Sequence, residues 1–264
     1  MEEFIQVLIA GGIMLAIALV FGAILVVCSH FLAVRKDERI EQVEKLLANS
    51  NCGGCGKAGC AQFAEALVKG EVRLSDCRAT PAANKEQIAK ILGGGEIGEE
   101  TVAVVHCNGG NACYDKYDYQ GYGNCASCEL IAGGVKACPV GCIGKKTCVN
   151  ICPYGAISVG DEGYSVVDKE KCVSCGACIK ECPKGIISRI PKSAKVFIAC
   201  SNHGKGKDVM ELCKRGCIGC GICAKNCPAG AIEMQDGLPK IDYSKCIGCL
   251  KCVEKCPRKC IKEH

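Results

Sequence analysis

The 264-residue sequence has no tryptophan, five phenylalanines, seven tyrosines and four histidines. Large apolar side chains are scarce beyond the first thirty positions. That excludes a single large hydrophobic core, although the length has room for one to three domains of about 100–200 residues. His30, His106, His203 and His264 are scattered and support no catalytic dyad. There is no phosphate-binding G-x-x-x-x-G-K-[ST] loop, no G-x-S-x-G nucleophile elbow and no H-E-x-x-H zinc motif. Gly93, Gly95 and Gly98 do satisfy G-x-G-x-x-G. A dinucleotide site needs a strand before that loop and a helix after it, whereas here a helix, Asn84 to Leu92, precedes it.

Cysteine, by contrast, is abundant, with 28 residues. Above roughly 8–10%, cysteine signals a disulfide scaffold or a chain built around metal centres, and compartment and spacing decide between them. Compartment is read from the N-terminus. From Phe4 to Val27 the chain carries no charge and one polar side chain, Gln6. At about 1.5 Å per residue such a helix covers ~36 Å, enough for a hydrocarbon core of ~30 Å. A cleaved signal peptide should begin with basic residues and end in small ones, but this segment begins Met1-Glu2-Glu3 and ends Val27-Cys28-Ser29. A single retained transmembrane helix over residues 1–28 is expected. Lys and Arg are absent before it, while Arg35, Lys36 and Arg39 follow, which places the rest of the chain in the cytoplasm. In that reducing compartment, metal ligation is the default use of cysteine.

An amphipathic helix follows within 29–50. The next segment, 51–78, carries NCGGCGKAGC and then Cys77, giving a four-cysteine set of Cys52, Cys55, Cys60 and Cys77. A linker over 79–101 leads to an internal repeat, 102–190 and 191–264. VAVVHC at Val102–Cys107 aligns with KVFIAC at Lys195–Cys200, and Cys138, Cys142, Cys148 and Cys152 align with Cys213, Cys217, Cys223 and Cys227. The second unit carries C-x2-C-x2-C-x3-C-P twice, the run in which three thiolates of one loop and a fourth from the partner run hold an iron-sulfur cluster. Cys217, Cys220, Cys223 and Cys256 form one set, and Cys246, Cys249, Cys252 and Cys227 the other. Zinc also uses C-x2-C pairs, but three evenly spaced cysteines with C-P in paired runs favour iron-sulfur.

In the first unit, Cys172, Cys175, Cys178 and Cys152 make a regular set. In the preceding run Lys145 stands where the second cysteine belongs, leaving Cys142, Cys148 and Cys182. Cys138 is the nearest fourth ligand; a three-iron cluster and a more distant cysteine are the alternatives. Cys107, Cys113, Cys125 and Cys128 are either a sixth cluster site, or buried thiols or partial ligands. Five to six [4Fe-4S] clusters are therefore expected. The formal charge of +5 falls to about −5 once five clusters, each about −2 with its four thiolates, are counted. The basic isoelectric point is thus no sign of nucleic-acid binding. Tyr114, Tyr117, Tyr119 and Tyr122 in the cysteine-rich insertion pack rather than bind a flavin. Lys240, Lys245, Lys251, Lys255, Arg258 and Lys259 are either a docking surface for an acidic partner or an ordinary solvated face.

The fold class expected is α+β: a membrane helix, a small four-cysteine domain and two tandem ferredoxin-like units. The span, the NCGGCGKAGC…Cys77 pattern and the paired runs together resemble the B-subunit family of Rnf complexes, the ion-translocating ferredoxin:NAD+ oxidoreductases of bacterial membranes. The extra unit resembles the longer form found in anaerobes. The resemblance implies a non-catalytic electron-relay subunit of a translocase at the inner (cytoplasmic) membrane. Soluble ferredoxin would be the donor, and other membrane and peripheral subunits, including a flavin- and NAD-binding one, would receive the electrons, coupled to Na+ or H+ export. The competing reading is a stand-alone membrane-tethered redox carrier or sensor, but a sensor needs an output element that the sequence does not contain.

Overall fold

The computed structural model describes residues 2–32, 37–94 and 98–264. Helix α1, Glu2–Leu32, has side chains described at 11, 12 and 14–27. Its apolar groups stand clear of the rest of the chain: Met14 is 72% exposed, Leu19 66% and Leu25 68%. Among the described residues, no helix is long and apolar enough to cross a membrane, so the expected span over 1–28 is not supported at this level. Cys28, Arg35, Lys36 and Gly95 lie outside the residues whose side chains are described.

Three helices build the first compact body. Asp37 caps α2, Glu38–Leu46, by accepting the Arg39 amide at 2.9 Å. Helix α3, Cys60–Val68, and helix α4, Ala82–Leu92, pack against it around Val43, Phe63, Leu67 and Ile88. α4 ends at Gly93 in the left-handed conformation, φ 75°. The stretch read as a linker thus begins inside this core, since Ile88 is fully buried.

The repeat folds twice into the same arrangement. In the first unit β1, Thr101–Val105, pairs antiparallel with β4, Ile187–Pro191; β2, Ile157–Val159, pairs with β3, Ser165–Val167. In the second, β5, Val196–Ile198, pairs with β8, Ile261–Glu263; β6, Ile232–Gln235, pairs with β7, Leu238–Ile241. One-turn helices fill the space between hairpins: α6, Thr147–Asn150, and α7, Ala177–Glu181, then α9, Ile222–Lys225, and α10, Lys251–Lys255. Helix α5, Cys125–Glu129, belongs to the insertion and α8, Gly206–Leu212, to the matching stretch of the second unit. Among the described residues no sheet exceeds two strands, because the small cores (Ala103, Val105, Ile157 and Ile187 in one, Val196, Ile232, Ile241 and Ile261 in the other) are shared with cysteines.

The units meet at the ends of β1 and β5. His106 bonds the Ile198 carbonyl through Nδ1 and the Ser188 hydroxyl through Nε2, both at 2.6 Å. Buried Asn108 donates from its backbone to Ala199 O and from Nδ2 to Lys259 O. His106 is therefore a clip between units rather than a metal ligand.

Candidate iron-sulfur centres

Each cysteine loop of the repeat has the same backbone. Left-handed residues precede the four short helices at Lys146, Gly176, Gly221 and Leu250, and again two positions earlier at Gly144, Ser174, Gly219 and Gly248. Such turns swing successive N–H groups inward and make a concavity lined by amide donors. Lysine and leucine hold φ values of 60° and 61° at two of these positions, which costs about 1 kcal/mol or more relative to glycine.

Four cavities lined by cysteine have similar empty volumes, about 410, 390, 330 and 360 Å3. The largest holds Cys52, Cys55, Cys60 and Cys77, with Cys175 of the first ferredoxin-like unit in its wall. Asn51 Oδ1 accepts the Cys60 amide at 2.8 Å, and Cys77 Sγ lies 3.2 Å from Thr80 Oγ1. The cavity of about 360 Å3 holds Cys142, Cys148, Cys182 and Cys125. Cys125 comes from the insertion at the N-terminus of α5, where its amide donates to Thr147 Oγ1 at 2.8 Å and Asn124 caps the helix. Lys145 keeps the loop backbone but turns its ammonium onto the Tyr119 ring, 4.9 Å from its centre.

Cys138 does not join that set. It lies with Cys107, Cys113 and Cys213 in a separate cavity between the two units. The structure thus divides the four insertion cysteines: Cys107 and Cys113 go to this cavity, Cys125 to the incomplete run, and Cys128 is fully buried against Tyr117, Tyr119, Val135 and Ile143. The reason is chain geometry beyond the reach of spacing, since the insertion folds back and is pinned by buried Lys184. That ammonium pairs with Glu129 at 2.8 Å and donates to Pro139 O at 2.6 Å.

In the second unit, Cys217, Cys220, Cys223 and Cys256 line one cavity, beside Cys260. Cys256 and Cys260 sulfurs are 3.5 Å apart, and the hydrogen bond from Cys260 holds the Cys256 thiol down at about 5. Cys227, Cys246 and Cys252 pack together in the core between β6 and α10, with Cys249 exposed at the surface. Cys152, Cys172 and Cys178 do the same in the first unit.

Elsewhere burial, chiefly, pushes thiols up: Cys142 and Cys178 to about 12, Cys200 and Cys223 to about 11. Thiols so placed hold their protons, and a bound metal centre would have to displace them. The sulfurs also accept backbone N–H groups, from Ala156 to Cys152 at 3.4 Å and, at the equivalent place in the repeat, from Ala231 to Cys227 at 3.3 Å. Cys142 N donates to Cys107 Sγ and Cys217 N to Cys200 Sγ, each at 3.3 Å. All cysteines among the described residues are free of disulfides. Among the described residues no group of three or more His, Cys, Asp or Glu is drawn tightly enough for a single metal ion. Four thiols set around a wider cavity, with amide donors to sulfur, fit a [4Fe-4S] cluster.

Three protein-family models match the chain. One described as a putative Fe-S cluster covers residues 47–79, and two described as 4Fe-4S dicluster domains cover 141–186 and 209–257. Among curated proteins, the B subunit of the Na+-translocating ferredoxin:NAD+ oxidoreductase complex of Acetobacterium woodii is 38% identical over 90% of this chain and 72% of its own length. The B subunit of the ion-translocating oxidoreductase complex of Methanosarcina acetivorans is 40% identical over 85% and 86%, respectively. The B subunit of the proton-translocating ferredoxin:NAD+ oxidoreductase complex of Clostridium ljungdahlii is 38% identical over 92% and 86%.

The chain belongs to the Rnf B-subunit family. Of the three matches, the first falls within the compact body of α2–α4 and the other two cover part of each ferredoxin-like unit. Residues 102–140, which supply Cys107, Cys113, Cys125 and Cys138, fall outside all three matches.

Proposed function

We propose that this chain is the electron-transfer subunit of a membrane-bound, ion-translocating ferredoxin:NAD+ oxidoreductase, and that it relays electrons without catalysing bond chemistry. The observation that carries the reading is the repetition of one cysteine-lined, amide-bordered cavity along a chain of this family. Three of these cavities, with the loop spacing of the remaining runs, give five ligand sets: Cys52, Cys55, Cys60 and Cys77; Cys152, Cys172, Cys175 and Cys178; Cys125, Cys142, Cys148 and Cys182; Cys217, Cys220, Cys223 and Cys256; Cys227, Cys246, Cys249 and Cys252. A bound [4Fe-4S] cluster supplies a one-electron couple whose potential depends on sulfur hydrogen bonds and solvent exposure. The chain's own residues hold it, donate N–H groups to its sulfurs and exclude water from it.

Helix α1 serves as a single membrane anchor with the remaining chain on the cytoplasmic side, a reading supported by its exposed apolar side chains and the Arg/Lys that follow. Partner subunits, including a flavin- and NAD-binding one, receive the electrons. Soluble ferredoxin supplies them near the last loop, where Ile247, 66% exposed, and Cys249 belong to a stretch whose Lys240, Lys251 and Lys255 are also exposed. Arg258 is not available for this, because it donates to Cys213 O at 2.7 Å and to Gly216 O. Relatives named for Na+ and for protons stand at the same 38% identity, so likeness to them does not assign the ion.

The test is stopped-flow reduction of anaerobically purified full-length chain by reduced ferredoxin. Fast bleaching that slows with salt, and a weaker salt dependence in Lys240→Glu/Lys251→Glu, is the expected result. NAD+ reduction by the isolated chain would instead contradict the relay role.

A further inference from the structure

The cavity between the units is a fourth kind of site, which neither dicluster domain contains. Cys113, Cys138 and Cys213 are 5%, 7% and 6% exposed and pack on one another. A Cβ at Gly109 would lie 3.3 Å from Cys213 Sγ and 3.6 Å from Cys107 Sγ, so two sulfurs from different units converge on one glycine. Every sulfur has a hydrogen-bond donor in reach: Cys142 N for Cys107 at 3.3 Å, Cys138 N for Cys113, Asn202 Nδ2 for Cys138 at 3.4 Å, and the Arg215 and Gly216 amides for Cys213.

The walls are fixed from both sides. Cys113 and Cys213 form an antiparallel bridge, with Tyr114 N donating to Leu212 O and Lys214 N to Ala112 O. Lys136 ties Gly110 O to Asp115 from the insertion side, while Arg258 holds the Cys213 carbonyl from the second unit.

We propose that Cys107, Cys113, Cys138 and Cys213 hold a further [4Fe-4S] cluster whose ligands come from both ferredoxin-like units and which joins them into one row of six sites. This inference rests on the electron-relay reading. The order follows from shared walls. Cys175 of the Cys152/Cys172/Cys175/Cys178 set lines the N-terminal cavity, where Gly54 touches its carbonyl so closely that no Cβ fits. That set exchanges ligands with Cys125/Cys142/Cys148/Cys182, since Cys148 and Cys152 are one short turn apart. Cys142 lines both its own cavity and the inter-unit one. On the far side, Cys213 and Cys217 again stand one short loop apart, and Cys200, in the inter-unit wall, accepts the Cys217 amide. The Cys227/Cys246/Cys249/Cys252 set then ends the row. Among the described residues, the inter-unit cavity is where the thiols of the two units converge.

Iron and acid-labile sulfide, with EPR of the reduced protein, test this on anaerobic full-length chain. About 24 of each per chain is expected, against about 20 for five clusters. Cys213→Ala and Cys138→Ala should each lose about four of each and the same EPR component, while Cys128→Ala keeps them all. If Cys213→Ala does not fold, Cys113→Ser must show the same loss. With ferredoxin as reductant, the clusters of the N-terminal half should reduce at least tenfold more slowly in Cys213→Ala. Wild type at about 20 with iron unchanged in Cys213→Ala and Cys138→Ala overturns the site. Lost iron with an unchanged rate overturns its place in the row. Zinc without sulfide in wild type would sink the relay reading itself, a different failure from either.

Discussion

Single side chains decide which thiols meet. At position 145 the loop keeps its left-handed turn at Lys146 but has no sulfur to offer, and Cys125 reaches the gap from the insertion. Cys125→Ala is therefore expected to lose about four irons per chain, measured by iron and sulfide analysis, with the other EPR components intact. The insertion itself is held by Lys184, 7% exposed and shared among Glu129, Gly133 O and Pro139 O. Lys184→Met removes the buried partner of an ion pair whose Glu129 side chain is 30% exposed and takes the donor from Gly133 O and Pro139 O, which costs about 1–3 kcal/mol. Anaerobic denaturant unfolding should show that loss, and hydrogen exchange should place the loosening over 113–141. Motif spacing groups the cysteines of each regular run because thiols on one tight loop are neighbours by covalent geometry. It did not carry Cys125 or Cys138, whose neighbours are set by how the insertion folds back.

At the level of elements, α2, α3 and α4 make one body around Ile88 and Phe63, fully and almost fully buried. Truncating Ile88→Ala is expected to cost about 2–5 kcal/mol, read as a lower denaturation midpoint, and to release iron from the Cys52/Cys55/Cys60/Cys77 site before any other. Helicity over 84–92 was legible from the pattern of apolar residues. That this helix closes over the cysteine loop, rather than spacing it from the next unit, was not, because an amphipathic face does not name the surface that covers it. VAVVHC and KVFIAC marked the repeat without naming a strand pairing; their partners, about 85 residues away for β1 and 65 for β5, follow from the closure of each repeat.

The molecule as a whole is a series of small cysteine-rich units that follow an apolar helix, α1. Val20 on α1 is 59% exposed, and Val20→Asp places a charge where a span would carry it at a cost of roughly 3 kcal/mol. Full-length chain should resist alkaline carbonate extraction from membranes, and the Val20→Asp variant should be released; equal release of both would remove the anchor.

Composition, the C-P runs and the internal repeat were enough to indicate metal centres, two ferredoxin-like units and the family, since these depend on residues close in the chain. The assignment of the insertion thiols, the merging of the helices around Ile88 and the meeting of the units through His106 and Asn108 were decided by tertiary packing. They rest on contacts such as Cys113 with Cys213, Asn108 with Lys259 and Lys184 with Glu129. Those partners are distant in the chain, and only closure of the fold brings their atoms within hydrogen-bonding range.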